Sequence, residues 1–231
     1  MIKFEKTEIL GWEAAIRGMR NPMNSWDMSD SYWGLWEDES PINPSDEPFF
    51  FVGENDLKLM KNLAKAGTDH RKFMRMLTVY VDITAPLYWW KEFDTYKVGT
   101  VANSCSTMHK LTSKRFEESD FSFEHLSKVC VHNVVVTQLI EDCNDLRDAY
   151  LTFDTDEEVR RNCEEHGLTK KDIWYALIQL LPSSYNQKRT VMLNYEVLAN
   201  IYKSRKNHKL DEWHDLCRWI EELPYSELIT G

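Results

Sequence analysis

Apolar positions along the chain change spacing from stretch to stretch, and each spacing predicts an element. Leu57, Met60, Leu63 and Ala64 recur at helical intervals, which predicts a helix from Leu57 to Ala66, with Asn55 or Asp56 capping its start and Gly67 ending it. From Phe73 to Ile83 the period shortens to two: Phe73, Leu77, Val79, Val81 and Ile83 share one face of a predicted strand. Arg75 interrupts that row, so it reaches solvent, meets an anion, or is moved to the other face by a bulge. Pro86 reads as a helix start, with the helix carrying Trp89, Trp90 and Phe93 to about Tyr96 before Gly99 ends it. Residues 119–181 read as mostly helical. The last third predicts two helices, roughly Lys188 to Arg205 and Leu210 to Leu223, the second with the stripe Trp213, Leu216, Cys217, Ile220 and Leu223. Only Arg20 to Asp56 lacks a period. Rich in Asn, Ser, Asp and Pro but studded with Trp26, Trp33, Trp36 and Phe49 to Phe51, it reads as a long insertion loop pinned by aromatics.

Composition narrows what such a chain does. A length of 231 residues with 42% hydrophobic content suits one sizeable core or two small lobes, and 13% aromatics exclude a disordered chain. The formal net charge of -10 argues against wrapping a nucleic-acid polymer, while a mononucleotide needs only a local positive pocket. Five widely spaced cysteines without a C-x-x-C pair predict reduced thiols and no zinc site. His70, His208 and His214 show no metal-ligand spacing. The opening MIKFEKTEIL has no leader pattern and no apolar run reaches spanning length, so a soluble cytoplasmic protein without a membrane partner is expected.

Candidate chemistry concentrates in two places. Asn194 and Arg205 are eleven residues apart, about three helical turns, which puts them nearly in line on one face with Val197, Leu198 and Ile201 between them. The guanidinium offers forked donors to a phosphate or a pyrimidine carbonyl; its other reading is a C-terminal arginine satisfying carbonyls and the helix dipole. The run from Gly99 to His109 is small and hydroxyl-rich. Ser104, Ser106 and Thr107, with backbone amides, suit a phosphate or flavin cradle, or form an ordinary capping loop. Cys105 and His109 lie four apart, a thiolate–imidazole spacing that a buried cysteine beside a satisfied histidine also produces. Glu92 and Asp94 flank Phe93, where a carboxylate could orient a substrate amide or be solvated.

Taken in order, these stretches resemble the flavin-dependent thymidylate synthases. DLKLMKNLAKAG followed by TDHRKFMRMLTVYVDI is similar to that family's helix, glycine, turn and strand, and ITAPLYWWKEFDT to its next helix. NSCSTMHK falls where the family has its serine-containing segment after an Arg-His-Arg signature. LLPSSYNQKRTVMLNYEVLANIYKSR looks like the closing helix, with Pro182, Asn194 twelve residues on, and Arg205 eleven further. The likeness covers most of the chain beyond Glu54. It implies a single α+β domain over 1–231, a mixed or antiparallel sheet flanked by long helices, with the aromatic insertion around 20–56. It further implies FAD, a dUMP-like nucleotide and a homotetramer. By the resemblance, Arg205 is the catalytic residue against the pyrimidine, and Arg75, Asn194 and Lys97 lie near the flavin. Ser104, Ser106 and Thr107 then contact the nucleotide. At the signature, however, this chain reads FDTYK, and Ile178 stands where the family places an arginine before the Leu-Pro pair.

Losing several charged hydrogen bonds, at about 1.5–3 kcal/mol each, counts against dUMP methylation itself. Three functions follow: a divergent flavin and nucleotide binder, a non-catalytic nucleotide-binding or sequestering protein on the same scaffold, or an interaction protein using its tryptophan-rich segment.

Overall fold

In a computed structural model describing residues 2–34, 49–106, 110–128 and 133–231, the hydrophobic periods become an α+β fold. Strand β1 (Lys3–Leu10) turns into helix α1 (Trp12–Arg20) at Gly11. There φ is 98° and a Cβ would sit 2.3 Å from the Met76 carbonyl oxygen, so only glycine fits. The sequence reading assigns no element to β1, because most of its side chains are exposed and no apolar alternation marks it.

The aperiodic stretch after α1 holds 3-10 turns at Asn21–Met23 and Trp26–Met28, then a short antiparallel pair, β2 (Tyr32–Gly34) with β3 (Phe49–Phe51). Aromatics do pin it. Tyr32 stacks on Phe51 at 5.3 Å and Trp33 meets Phe50 edge-on at 5.1 Å, each across a paired position. Trp36 lies outside the described residues.

Helix α2 (Glu54–Lys65) starts earlier than its apolar period shows. Gly53 is its N-cap, in place of the expected Asn55 or Asp56, and Gly67 follows its end in the left-handed region at φ 102°. Phe73 to Arg75, expected as the start of a strand, belong instead to a 3-10 turn, Arg71–Arg75. The adjacent Phe73 and Met74 are both buried there, in a turn that does not alternate faces. β4 therefore spans Thr78–Pro86, and Leu77, Val79, Val81 and Ile83 form the buried row that the sequence predicts. The next helix, α3 (Leu87–Phe93), is shorter than expected at both ends.

β5 (Val101–Ser104) is followed by the helical middle of the chain: α4 (Asn133–Thr152), α5 (Glu157–Glu165) and α6 (Lys170–Leu180). The helix expected from Lys188 is two elements. Residues 186–194 form β6 (Asn186–Asn194), and α7 (Tyr195–Arg205) starts only where the Asn194 side chain caps it. The alternation of buried Val191 and Leu193 is too short to stand out from the helical pattern that follows. α8 (Asp211–Glu221) and α9 (Glu227–Thr230) close the chain.

One sheet has the order β1-β4-β6-β5. The chain forms two compact units, one mainly of Ile83–Thr95 and Asn103–Arg189, the other of Phe4–Asp82, Tyr96–Ala102 and Thr190–Gly231. In the first, Phe116, Phe121, Phe123, Cys143 and Leu177 share a core, and burial pushes the Cys143 thiol up to about 11. In the second, Met60, Leu198, Ile201, Trp213 and Ile220 are almost fully buried. Among the described residues, no helix is long and apolar enough to cross a membrane.

Candidate functional site

Helix α7 gathers most of the residues singled out in the sequence. Val197, Leu198 and Ile201 face the core, as their spacing predicts. Asn194 is the N-cap: its Oδ1 accepts the Val197 amide at 3.0 Å. The amide nitrogen of the same side chain points toward Gly99, where an added Cβ would come within 3.0 Å of it. At the opposite end, Arg205 Nε donates to the Tyr96 hydroxyl at 2.8 Å, and the guanidinium lies over the Trp213 ring at 4.4 Å. Tyr96 thus meets the last residue of α7 and Gly99 its N-cap. These two contacts bring the short segment between them, with exposed Lys97, beside α7. Just after Gly99, the Thr100 hydroxyl oxygen is buried without a hydrogen-bond partner among the described residues.

Arg75 meets an anion, one of the outcomes its sequence context left open. Its Nε and Nη2 both donate to the Glu196 carboxylate in the first turn of α7. Arg71 donates to the same carboxylate at 3.2 Å and to Asn200 Oδ1, one turn further on, also at 3.2 Å. Hydrogen bonding from Arg75 holds the Glu196 carboxyl below the usual carboxylate range, against the upward push of burial. Two guanidiniums share this carboxylate, with Arg75 half-exposed and the Asp69 charge also acting on it. Glu196, Asn200 and Arg71 escaped the sequence reading; the available signal was a glutamate between Tyr195 and Val197 in an otherwise apolar first turn.

In the other unit the FDT of FDTYK is engaged locally. Asp94 accepts from Arg189 Nη1 at 2.7 Å, Arg189 lies over the Trp90 ring at 4.2 Å, and the Thr95 hydroxyl donates to the Glu92 carbonyl at 2.7 Å. Ser104 ends β5, exposed. Beside it the Cys105 amide donates to the Lys188 carbonyl at 2.9 Å, and the Ser106 carbonyl accepts from Lys110 at 3.2 Å. Thr107 and His109, with the Cys105–His109 pairing, lie outside the described residues. Ile178 packs against the apolar core of its own unit.

No known protein-family pattern matches the sequence, and no curated protein matches it. Solved structures do. Thymidylate synthase X (ThyX) from Helicobacter pylori, with FAD and dUMP, superposes with a TM-score of 0.60 at 16% identity, over 99% of this chain and 96% of that one. A second structure, of the flavin-dependent thymidylate synthase ThyX of the same organism complexed with FAD and dUMP, gives 0.61 at 16% identity, over 99% and 97%. The chain shares their fold from end to end.

Proposed function

We propose that this protein binds a pyrimidine nucleotide of the dUMP type on a thymidylate synthase-like scaffold, with Arg205 against the base and FAD as companion ligand. The observation that carries the reading is Arg205 itself. Its guanidinium is held at the end of α7 by a hydroxyl and an aromatic face, so its planar donors are oriented before any ligand arrives. The residues fit both groups. Arg75 is a half-exposed guanidinium with donors suited to a phosphate, the buried Thr100 hydroxyl offers a donor, and Lys97 is exposed. Arg75, Asn194 and Lys97 would hold the flavin, and Ser104, Ser106 and Thr107 the nucleotide phosphate.

Bound FAD supplies hydride chemistry. The chain's own part would be to polarise a pyrimidine carbonyl through Arg205 and to hold the flavin through Arg75. The reading stops short of thymidylate synthesis, because the side chains at the signature positions are turned onto the protein: Asp94 onto Arg189, Thr95 onto Glu92 and Tyr96 onto Arg205. That observation favours a second reading, a nucleotide-binding protein without flavin catalysis.

The visible spectrum separates them. Protein purified without added cofactor is expected to show flavin absorbance or to gain it on titration with FAD. A colourless protein that ignores FAD at high concentration removes the flavin and leaves the second reading.

A further inference from the structure

A second pocket, away from α7, has the chemistry of a cation site. It is an open cleft of about 430 Å³ between β1, the start of α1 and the C-terminal end of α8, within the roughly 300–1,000 Å³ of small-molecule sites. Three aromatic rings line it: Trp12, Trp219 and Tyr225. Each ring has a packing partner. Trp219 stacks on Phe4 at 5.0 Å and its Nε1 donates to the Thr7 hydroxyl at 3.1 Å, while Trp12 meets Tyr225 edge-on at 5.1 Å. Lys6, at φ 51°, breaks the two-residue alternation of β1, which brings both Phe4 and Thr7 to Trp219. Tyr225 itself stands at φ 54°, a conformation that a bulky residue adopts only when its surroundings enforce it.

The charge around these rings has one sign. Glu222 lines the pocket as the C-cap of α8, so the negative end of that helix dipole lies beside its carboxylate. Among the described residues, no lysine, arginine or histidine lines it. Aromatic faces attract cations and the carboxylate adds to the attraction, whereas a phosphate would be repelled. We infer that this pocket binds an organic ammonium ion of the trimethylammonium type.

Calorimetric titration of the full chain with choline tests this, with 3,3-dimethyl-1-butanol as its uncharged counterpart of the same shape. Choline is expected to bind saturably and at least about tenfold more tightly than the neutral compound. Glu222→Gln, a change at an exposed position, should weaken choline about two- to fivefold, and Trp12→Leu roughly three- to tenfold. A trimethyllysine peptide distinguishes a protein side chain from a free metabolite as the source of the same group; saturable binding of either, tighter than that of the neutral compound, supports the site. Equal binding of the neutral compound, no saturation with either cation, or an unchanged affinity in Glu222→Gln overturns it. Trp12→Leu is read only if its melting transition survives, and Glu222→Gln decides otherwise.

Discussion

Asp56→Ala is expected to destabilise the protein by about 3–5 kcal/mol, the cost of leaving one partner of a buried ion pair alone. Asp56 is fully buried in α2, and five donors converge on it. Arg20 Nε lies at 2.6 Å, the Ser29 and Ser31 hydroxyls at 2.6 and 2.7 Å, and the amides of Asp30 and Ser31 at 3.2 Å. Arg20 is itself only 4% exposed, and apart from Asp56 it reaches the Ser25 carbonyl at 3.1 Å. Removing the carboxylate therefore strands a guanidinium and four further donors together, and the segment behind Trp26 loses its anchor.

The same carboxyl sets an acid limit on stability. Burial alone would raise it, but the hydroxyls of Ser29 and Ser31 and the Arg20 guanidinium outweigh burial and hold it below the ordinary value. A depressed carboxylate contributes stability that is complete above its unfolded value of about 3.9 and is lost as pH falls through the folded value. Urea unfolding at pH 7 and at about pH 3 checks both points: the gap between wild type and Asp56→Ala should be large at the first and shrink at the second. A loss below about 1 kcal/mol at pH 7 contradicts the role given to Asp56.

Trp90→Ala is expected to cost about 3–5 kcal/mol, the range for deleting a large buried aromatic. Trp90 is 1% exposed, packs against Trp89 at 4.9 Å and Phe93 at 5.3 Å, and its Nε1 donates to the Gln187 carbonyl at 2.9 Å. It also carries Arg189 on its face at 4.2 Å, so the substitution removes support from the Arg189–Asp94 pair. Trp90→Phe should recover much of the loss by keeping an aromatic face, though not the indole hydrogen bond. Chemical denaturation of the two variants measures this. Equal losses in both would mean that the indole hydrogen bond, and not the ring volume, carries the effect.

The parts of the fold that the sequence reveals are those with long, one-sided apolar rows. Leu77 to Ile83 and Trp213 to Leu223 are buried as their periods require. Where two periods abut, the shorter one disappears: Val191 and Leu193 are a strand face that reads as the start of α7. β1 stays hidden because its side chains are mostly exposed, so its pairing leaves no trace in hydropathy. The site behaves in the same way. Asn194, Arg205 and Arg75 stand out as polar groups in apolar rows. Their partners do not, since Glu196, Tyr96 and Trp213 meet them across 121, 109 and 8 positions of chain, respectively, and only the fold brings them together. Asp56 shows the opposite error. An aspartate near a helix start reads as a cap, yet the fold turns it inward to Arg20.

The most direct test of nucleotide binding at Arg205 is the thermal stability of the wild type and Arg205→Ala over a range of dUMP concentration. A ligand that binds only the folded state stabilises it by about 2.7 kcal/mol at a hundred times its Kd, so the wild-type midpoint should climb steadily with dUMP. Arg205→Ala should unfold cooperatively, within about 1–2 kcal/mol of the wild type, because the contacts it loses lie at a partly exposed position. Its midpoint should stay flat as dUMP rises. An Arg205→Ala midpoint that climbs as the wild type's does would contradict the account.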